Sequence, residues 1–233
     1  MNQSDRTNLE SEVHLWHVRL SSVGSPEILS DDERARADRF KFDRDRERFV
    51  ACRCQLRQIL AGYLKVAPGT LRFSYGPHGK PFLRETDLRF NVSHSGDRGL
   101  IVVSRGREIG VDIECRNARL DPAELARHFL TPAEAAFVQN TSADEQLDPF
   151  LTCWTRKEAW AKAVGVGLAG QLDRFDVSAS LGSRLRTLHD RVTGMPWTVI
   201  DIGIPPHARA ALVVEGAEVP VHRMCGSGSD PAS

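Results

Sequence analysis

Over residues 13–20 both faces of the chain read as apolar, with Val13 and Leu15 on one side and Trp16, Val18 and Leu20 on the other. That pattern predicts a strand buried on both faces. A turn follows at Gly24-Ser25-Pro26, and Ser30-Asp31-Asp32-Glu33 has capping-box spacing, so a charged helix starts there and runs toward Phe40. Over about residues 45–64, Phe49, Cys52, Leu56, Ile59, Leu60 and Tyr63 recur at helical spacing and predict a long helix with one apolar stripe. Downstream the pattern shortens to strand length. Leu71-Arg72-Phe73 opens a run of strands, residues 75–82 form a Gly/Pro loop, and residues 89–103 read as strand, turn, strand. In that last segment Ser93-His94-Ser95 is the expected turn. Arg107-Glu108-Ile109 starts a strand continuing through Glu114, and the helix holding residues 154–162 ends at Gly165-Val166-Gly167-Leu168.

An offset of 101 positions reproduces part of this order. Leu29, Ser30, Glu33 and Ala35 map to Leu130, Thr131, Glu134 and Ala136, and Phe49 and Cys52 map to Phe150 and Cys153. The second capping box, Thr131-Pro132-Ala133-Glu134, carries Pro at the first helical position, where the missing N–H is not needed. Leu172-Asp173-Arg174-Phe175 is a slightly shifted echo of Leu71-Arg72-Phe73. The expected fold class is α+β, a pseudo-dimer of two similar halves at residues 10–104 and 105–224, with the site at the seam between them. Residues 225–233 have linker composition and are expected to be disordered.

Composition narrows the function classes. Thirty-one basic residues balance 31 acidic ones, which excludes a globally basic nucleic-acid binder. Only 5 of the basic residues are Lys, so each Lys is a rare event. The five Cys form no C-x-x-C pair and suit reduced thiols, and no apolar run approaches the roughly 18 residues of a membrane span. A soluble cytoplasmic protein is expected. Residues 34–57 hold nine basic side chains against four acidic ones, a local excess where a phosphate group could sit.

Four segments carry candidate chemistry. In Gly110-Val111-Asp112-Ile113-Glu114 the two carboxylates share one strand face about 7 Å apart, and such a pair needs a cation. Oxygen-only ligands of this kind suit Mg²⁺ on a substrate phosphate; the bland alternative is a solvated strand face. In Trp154-Thr155-Arg156-Lys157-Glu158-Ala159-Trp160-Ala161-Lys162, Glu158 and Lys162 are four apart and share a helix face, as does any ordinary Glu/Lys pair. Against that plain reading, two of the five Lys fall in this short stretch. Ser93-His94-Ser95 offers hydroxyl and imidazole donors to a phosphate, and Tyr75-Gly76-Pro77-His78-Gly79-Lys80-Pro81 holds another Lys without P-loop spacing.

Taken together and in order, G-K-P, N-V-S-H-S, G-V-D-I-E and W-x-x-K-E-A-x-x-K resemble the 4′-phosphopantetheinyl transferases, specifically the Sfp-like group, over about residues 34–175. The resemblance implies a pseudo-dimeric fold and transfer of the phosphopantetheine arm of coenzyme A to a serine of an apo acyl or peptidyl carrier protein. It implies Mg²⁺ held by Asp112, Glu114 and Glu158, with Glu158 also taking the serine proton and Lys162 assisting the leaving bisphosphate. His94 and Arg48 match contacts to the 3′-phosphate, and Ser93, Lys80 and Lys157 are assigned to coenzyme A. Glu33 stands where the family often has Lys, and Arg57 is the 101-offset counterpart of Glu158, which leaves one active site per chain. A monomer is expected, with no nucleic acid and no membrane partner. Two other functions remain open on the same residues, a metal-dependent phosphohydrolase or nuclease and a carrier-binding module without catalysis.

Overall fold

The computed structural model describes residues 9, 12–21, 25–166, 176–177, 185–204 and 207–225. The readings of Gly167-Leu168, Leu172–Phe175 and the tail beyond residue 225 lie outside the described residues. Among the described residues no helix is long and apolar enough to cross a membrane.

The chain is a mixed α/β structure built on two four-stranded sheets. Strands β1 (Val13–Arg19), β4 (Leu88–Ser95), β5 (Arg98–Arg105) and β10 (Val221–Cys225) form the first, in the order β10-β1-β5-β4. The second, ordered β6-β9-β8-β7, contains β6 (Ile109–Cys115), β7 (Leu185–His189), β8 (Pro196–Asp201) and β9 (Ala208–Glu215). Two short strands, β2 (Phe73–Tyr75) and β3 (Pro81–Leu83), pair across the Gly/Pro loop as a hairpin. The second sheet's neighbours are all antiparallel. In the first sheet β10 runs parallel to β1, with Val13 opposite Val221, so chain from the second predicted half completes the first half's sheet.

Both faces of β1 are buried, as its sequence pattern predicts, because the sheet is sandwiched. Trp16, Val18 and Leu20 pack with Leu56, Ile59 and Leu60 of helix α2 (Asp43–Leu64), and the Tyr63 hydroxyl ties α2 to β1 by accepting from Trp16 Nε1 at 3.0 Å. Val13 and Leu15 face the other way and join Ile109, Val111, Ile113 and Leu212 in a core shared by the two sheets. On the far face of the second sheet, Ala159, Trp160 and Ala163 of helix α5 (Leu147–Val164) pack on Trp197, Val199, Ala211 and Val213. The layers therefore run helix, sheet, sheet, helix, with the apolar centre between the sheets.

Both capping boxes form: Ser30/Glu33 opens α1 (Asp31–Ala37) and Thr131/Glu134 opens α4 (Pro132–Gln139), the latter after α3 (Pro122–Phe129). Both box glutamates are also buried ion-pair partners. Glu33 meets Arg57 at 2.6 Å, and Glu134 meets Lys157 at 3.0 Å. Glu33, at the position where the resemblance implies Lys, thus points inward, where burial disfavours its carboxylate but Arg53 and Arg57 outweigh it and lower its pKa.

The capping boxes keep the 101 offset, and the helix ends add a second one. Lys65 and Gly165 are both left-handed C-caps, bonded to the carbonyls of Ala61 and Ala161, and Val66 and Val166 return to the same two carbonyls. From the caps the long helices correspond at 100, not 101, which also superposes Arg57 on Lys157. On this register the counterpart of Glu158 is Gln58, and that of Lys162 is Gly62. On this register Phe150 and Cys153 each stand one residue beyond the equivalents of Phe49 and Cys52.

A second correction concerns the segment read as a turn. Residues 93–95 belong to β4, and the chain reverses at Gly96-Asp97, where Gly96 takes a positive φ of 60°.

Candidate active site

The site begins with a glycine on β6. A Cβ at Gly110 would lie 2.0 Å from the Ala159 carbonyl oxygen and 2.4 Å from the Ala163 nitrogen, so only glycine lets α5 rest on this strand. Ala159 and Ala163 supply the matching flat strip on the helix. Residues 110, 112 and 114 share one face of β6, and the carboxylates of Asp112 and Glu114 are thereby brought against the flank of α5 that carries Glu158 and Lys162.

Lys162 Nζ is 2.6 Å from Asp112 Oδ1 and 3.1 Å from Ser93 Oγ, and the Ser93 hydroxyl lies 2.9 Å from the same Asp112 oxygen. Asp112 is buried, and its Oδ2 has no hydrogen-bond partner among the described residues. The ammonium sits at the solvent-facing edge, the Lys162 side chain being 32 % exposed against 4 % for Asp112. Burial raises the Glu158 pKa to about 7, aided by the charges of Asp112 and Glu114 and opposed by Lys162. Glu114 is raised by burial and by Asp112, against a hydrogen bond from Ser95. Three carboxylates that repel one another, with one oxygen orphaned, form a site short of positive charge. Among the described residues, no three His, Cys, Asp or Glu side chains are already drawn into a metal cage. The oxygen-only donor set with room for substrate oxygens nevertheless fits Mg²⁺, which commonly takes one or two carboxylates plus phosphate.

Cations gather beside the cluster. His94 is exposed at the end of β4, and its pKa is lowered by loss of water and then by the charges of Lys162 and Arg48. Arg48 donates to Asp97 Oδ1 at 2.6 and 2.8 Å, which fixes it beside the β4–β5 turn. It also lines a cavity of about 620 Å³ whose walls include Leu20, Leu29, Arg34, Arg46 and Val50.

Two expected coenzyme A contacts, Lys157 and Lys80, are held by protein partners. Lys157 is wholly buried in its pair with Glu134, because the residue before Glu158 points from the opposite flank of α5 toward α4. Lys80 bonds Glu108 Oε2 at 3.0 Å and the Ala163 carbonyl at 2.7 Å, so it fastens the β2–β3 loop to the end of α5.

Other contributors escaped the sequence reading. Arg156 pairs with Asp201 through two bonds of 2.8 and 2.7 Å, so the successive residues Arg156, Lys157 and Glu158 anchor α5 to β8, to α4 and to the site. Gly110 was read as part of a motif without a packing role. Asn91 and Ser95 were also missed as partners of β6, although polar residues at 91, 93 and 95 alternate with apolar Leu88, Phe90 and Val92.

The family follows from the sequence matches. The model described as 4′-phosphopantetheinyl transferase superfamily matches residues 108–213, and the one described as 4′-phosphopantetheinyl transferase, N-terminal, matches residues 20–105. The chain belongs to the 4′-phosphopantetheinyl transferase superfamily. It is 36% identical over 219 residues to 4′-phosphopantetheinyl transferase HetI of Nostoc sp. (strain PCC 7120), covering 90% of each chain. It is 38% identical over 155 residues to AcpT of Escherichia coli O157:H7, covering 66% of this chain and 74% of the relative. Against Sfp of Bacillus subtilis (strain 168) the figures are 31% over 151 residues, 64% and 66%.

Proposed function

We propose that this protein transfers the 4′-phosphopantetheine arm of coenzyme A to a serine of an apo acyl or peptidyl carrier protein, releasing adenosine 3′,5′-bisphosphate. The reading rests above all on Asp112, whose buried and unpartnered Oδ2 belongs to the three-carboxylate cluster beside Lys162. Asp112, Glu114 and Glu158 would hold Mg²⁺, which when bound neutralises charge growing on the pyrophosphate oxygens. The serine oxygen forms a bond to the phosphorus nearer pantetheine as that phosphorus loses its bridging oxygen to the bisphosphate. Glu158, beside the metal position, would also take the serine proton, directly or through water. Lys162, at the solvent-facing edge, offers positive charge and a proton donor to the leaving group.

Arg48 and His94 would meet the 3′-phosphate, and the adjoining cavity with Arg34 and Arg46 on its walls suits the rest of the nucleotide. Lys80 and Lys157 are left out of this assignment. The halves at 10–104 and 105–224 form a pseudo-dimer with the site at its seam, a reading supported by the repeated capping boxes, buried ion pairs and helix caps. Both sides of the cleft come from one chain, so a monomer suffices. Free thiols at Cys52, Cys54, Cys115 and Cys153 suit a cytoplasmic protein.

The test is to incubate the protein with coenzyme A, Mg²⁺ and several apo carrier proteins and to weigh the carriers. A phosphopantetheine mass gain that disappears with chelator and with Asp112→Ala is expected. No gain on any carrier, or a gain undiminished by Asp112→Ala, would sink the assignment.

A further inference from the structure

The two sheets meet edge to edge at β4 and β6, and they are joined there by side chains rather than by a backbone ladder. Asn91 Oδ1 accepts from the Val111 N–H at 3.0 Å, Ser93 Oγ from the Ile113 N–H at 3.3 Å and Ser95 Oγ from the Cys115 N–H at 3.0 Å. Every second residue of β4 thus satisfies every second N–H of β6. The serines do more than close the seam. Ser93 Oγ lies 2.9 Å from Asp112 Oδ1, and Ser95 Oγ lies 3.3 Å from Glu114 Oε2. Each hydroxyl takes an N–H from one β6 residue and gives its own proton to the carboxylate of the residue before it. Asn91 has no such second partner, because the residue preceding Val111 is Gly110.

The hydrogen-bond arithmetic at Ser93 is closed. A hydroxyl has one proton and two lone pairs. The Ile113 N–H and the Lys162 ammonium can only donate, so they take both lone pairs, and the proton goes to Asp112 Oδ1. Nothing is left over for a nucleotide. One Asp112 oxygen is pinned by Ser93 and Lys162, and the other stays open.

We propose that Ser93 and Ser95 are positioning residues that lock the register of β4 on β6 and fix the rotation of the Asp112 and Glu114 carboxylates, presenting one Asp112 oxygen to the metal. The proposal rests on the metal-assisted reading above and assigns Ser93 a role different from a coenzyme A contact.

The experiment compares Ser93→Ala, Ser93→Thr, Ser95→Ala and Asn91→Ala in the full-length protein. Mn²⁺ binding is followed by electron paramagnetic resonance with coenzyme A present, alongside the KM for coenzyme A at saturating metal and the unfolding midpoint. Loss of an outer-shell partner of a metal ligand typically weakens metal binding by about 10–100-fold. Ser93→Ala and Ser95→Ala should therefore weaken Mn²⁺ binding at least about tenfold with the coenzyme A KM unchanged. Ser93→Thr should retain binding, and Asn91→Ala should lower the unfolding midpoint alone. If Ser93→Ala does not fold, Ser95→Ala carries the same comparison at Glu114.

A raised coenzyme A KM with unchanged Mn²⁺ affinity in Ser93→Ala would overturn the proposal and restore a nucleotide contact. Equal Mn²⁺ weakening in Asn91→Ala would also overturn it, by assigning the effect to a looser seam. Both outcomes presuppose a wild-type protein that binds Mn²⁺ and modifies a carrier; a wild type that does neither overturns the transferase reading together with this one.

Discussion

Replacing Gly110 by alanine adds a single methyl group, yet it strikes the contact that assembles the site. The new Cβ would begin 2.0 Å from the Ala159 carbonyl oxygen and 2.4 Å from the Ala163 nitrogen, both backbone atoms that cannot rotate away. Reaching an ordinary contact of 3.4 Å requires α5 and β6 to separate by about 1.4 Å. Overpacking of this kind costs about 1–3 kcal/mol, and here the upper end applies because a whole helix must move. The same displacement carries Glu158 and Lys162 away from Asp112, and a misplacement of about 1 Å can lower a rate about 100-fold. Urea denaturation should show a Gly110→Ala protein that folds with reduced stability, and carrier mass analysis should show kcat/KM down by about two orders of magnitude. Stability within about 0.5 kcal/mol of wild type, together with unchanged transfer, would refute the idea that this glycine sets the approach of α5.

Three further perturbations probe other parts of the structure. Lys157→Ala strands Glu134 as an unpaired buried charge and should destabilise the fold by about 3–5 kcal/mol in denaturant titrations; any residual folded enzyme should keep the wild-type KM for coenzyme A, and a raised KM would return Lys157 to the binding site. In the presence of chelator, folded Glu158 holds its proton up to about pH 7, while in the unfolded chain it ionises near 4.5. The folded state then binds more protons across that window, so stability should fall as pH rises from about 4.5 to about 7, by on the order of 2 kcal/mol after allowance for solvent screening, and melting temperature should fall with it. Glu158→Gln should flatten this slope, and an unchanged slope would show that another group carries it. Arg48→Ala should raise the KM for coenzyme A about tenfold while leaving the KM for 3′-dephospho-coenzyme A nearly unchanged; equal effects on both substrates would remove Arg48 from the 3′-phosphate.

What the sequence made legible was set by periodicity and by spacing within single elements. The strand at Val13, the long helix through Leu56 and Leu60, and both capping boxes follow from local rules, and all four form. The pairing of Asp112 with Glu114 on one strand face and of Glu158 with Lys162 on one helix face was likewise readable, because each pair lies within one element. What brings those two faces together was not, since Gly110 reveals its role only when a second backbone arrives. Lys157 shows the opposite limit: a charged residue in a charged motif reads as exposed, and only the fold supplies the buried Glu134 that takes it inside. The turn expected at Ser93-His94-Ser95 lies one step early because hydroxyl residues are turn formers by propensity, whereas here the neighbouring strand occupies their hydrogen bonds.

The parallel pairing of β10 with β1 has a consequence for how the protein is made. Val13 waits for Val221, a partner emerging from the ribosome after nearly all the rest of the described chain, so β1 must pass translation with one edge unclosed. That edge is a strand with buried apolar residues on both faces, the sort of template that invites pairing with another nascent chain. Cutting the gene between the two halves would remove the closing strand from the first sheet and uncover the face on which Val13 and Leu15 meet the second, and the amino-terminal fragment should aggregate.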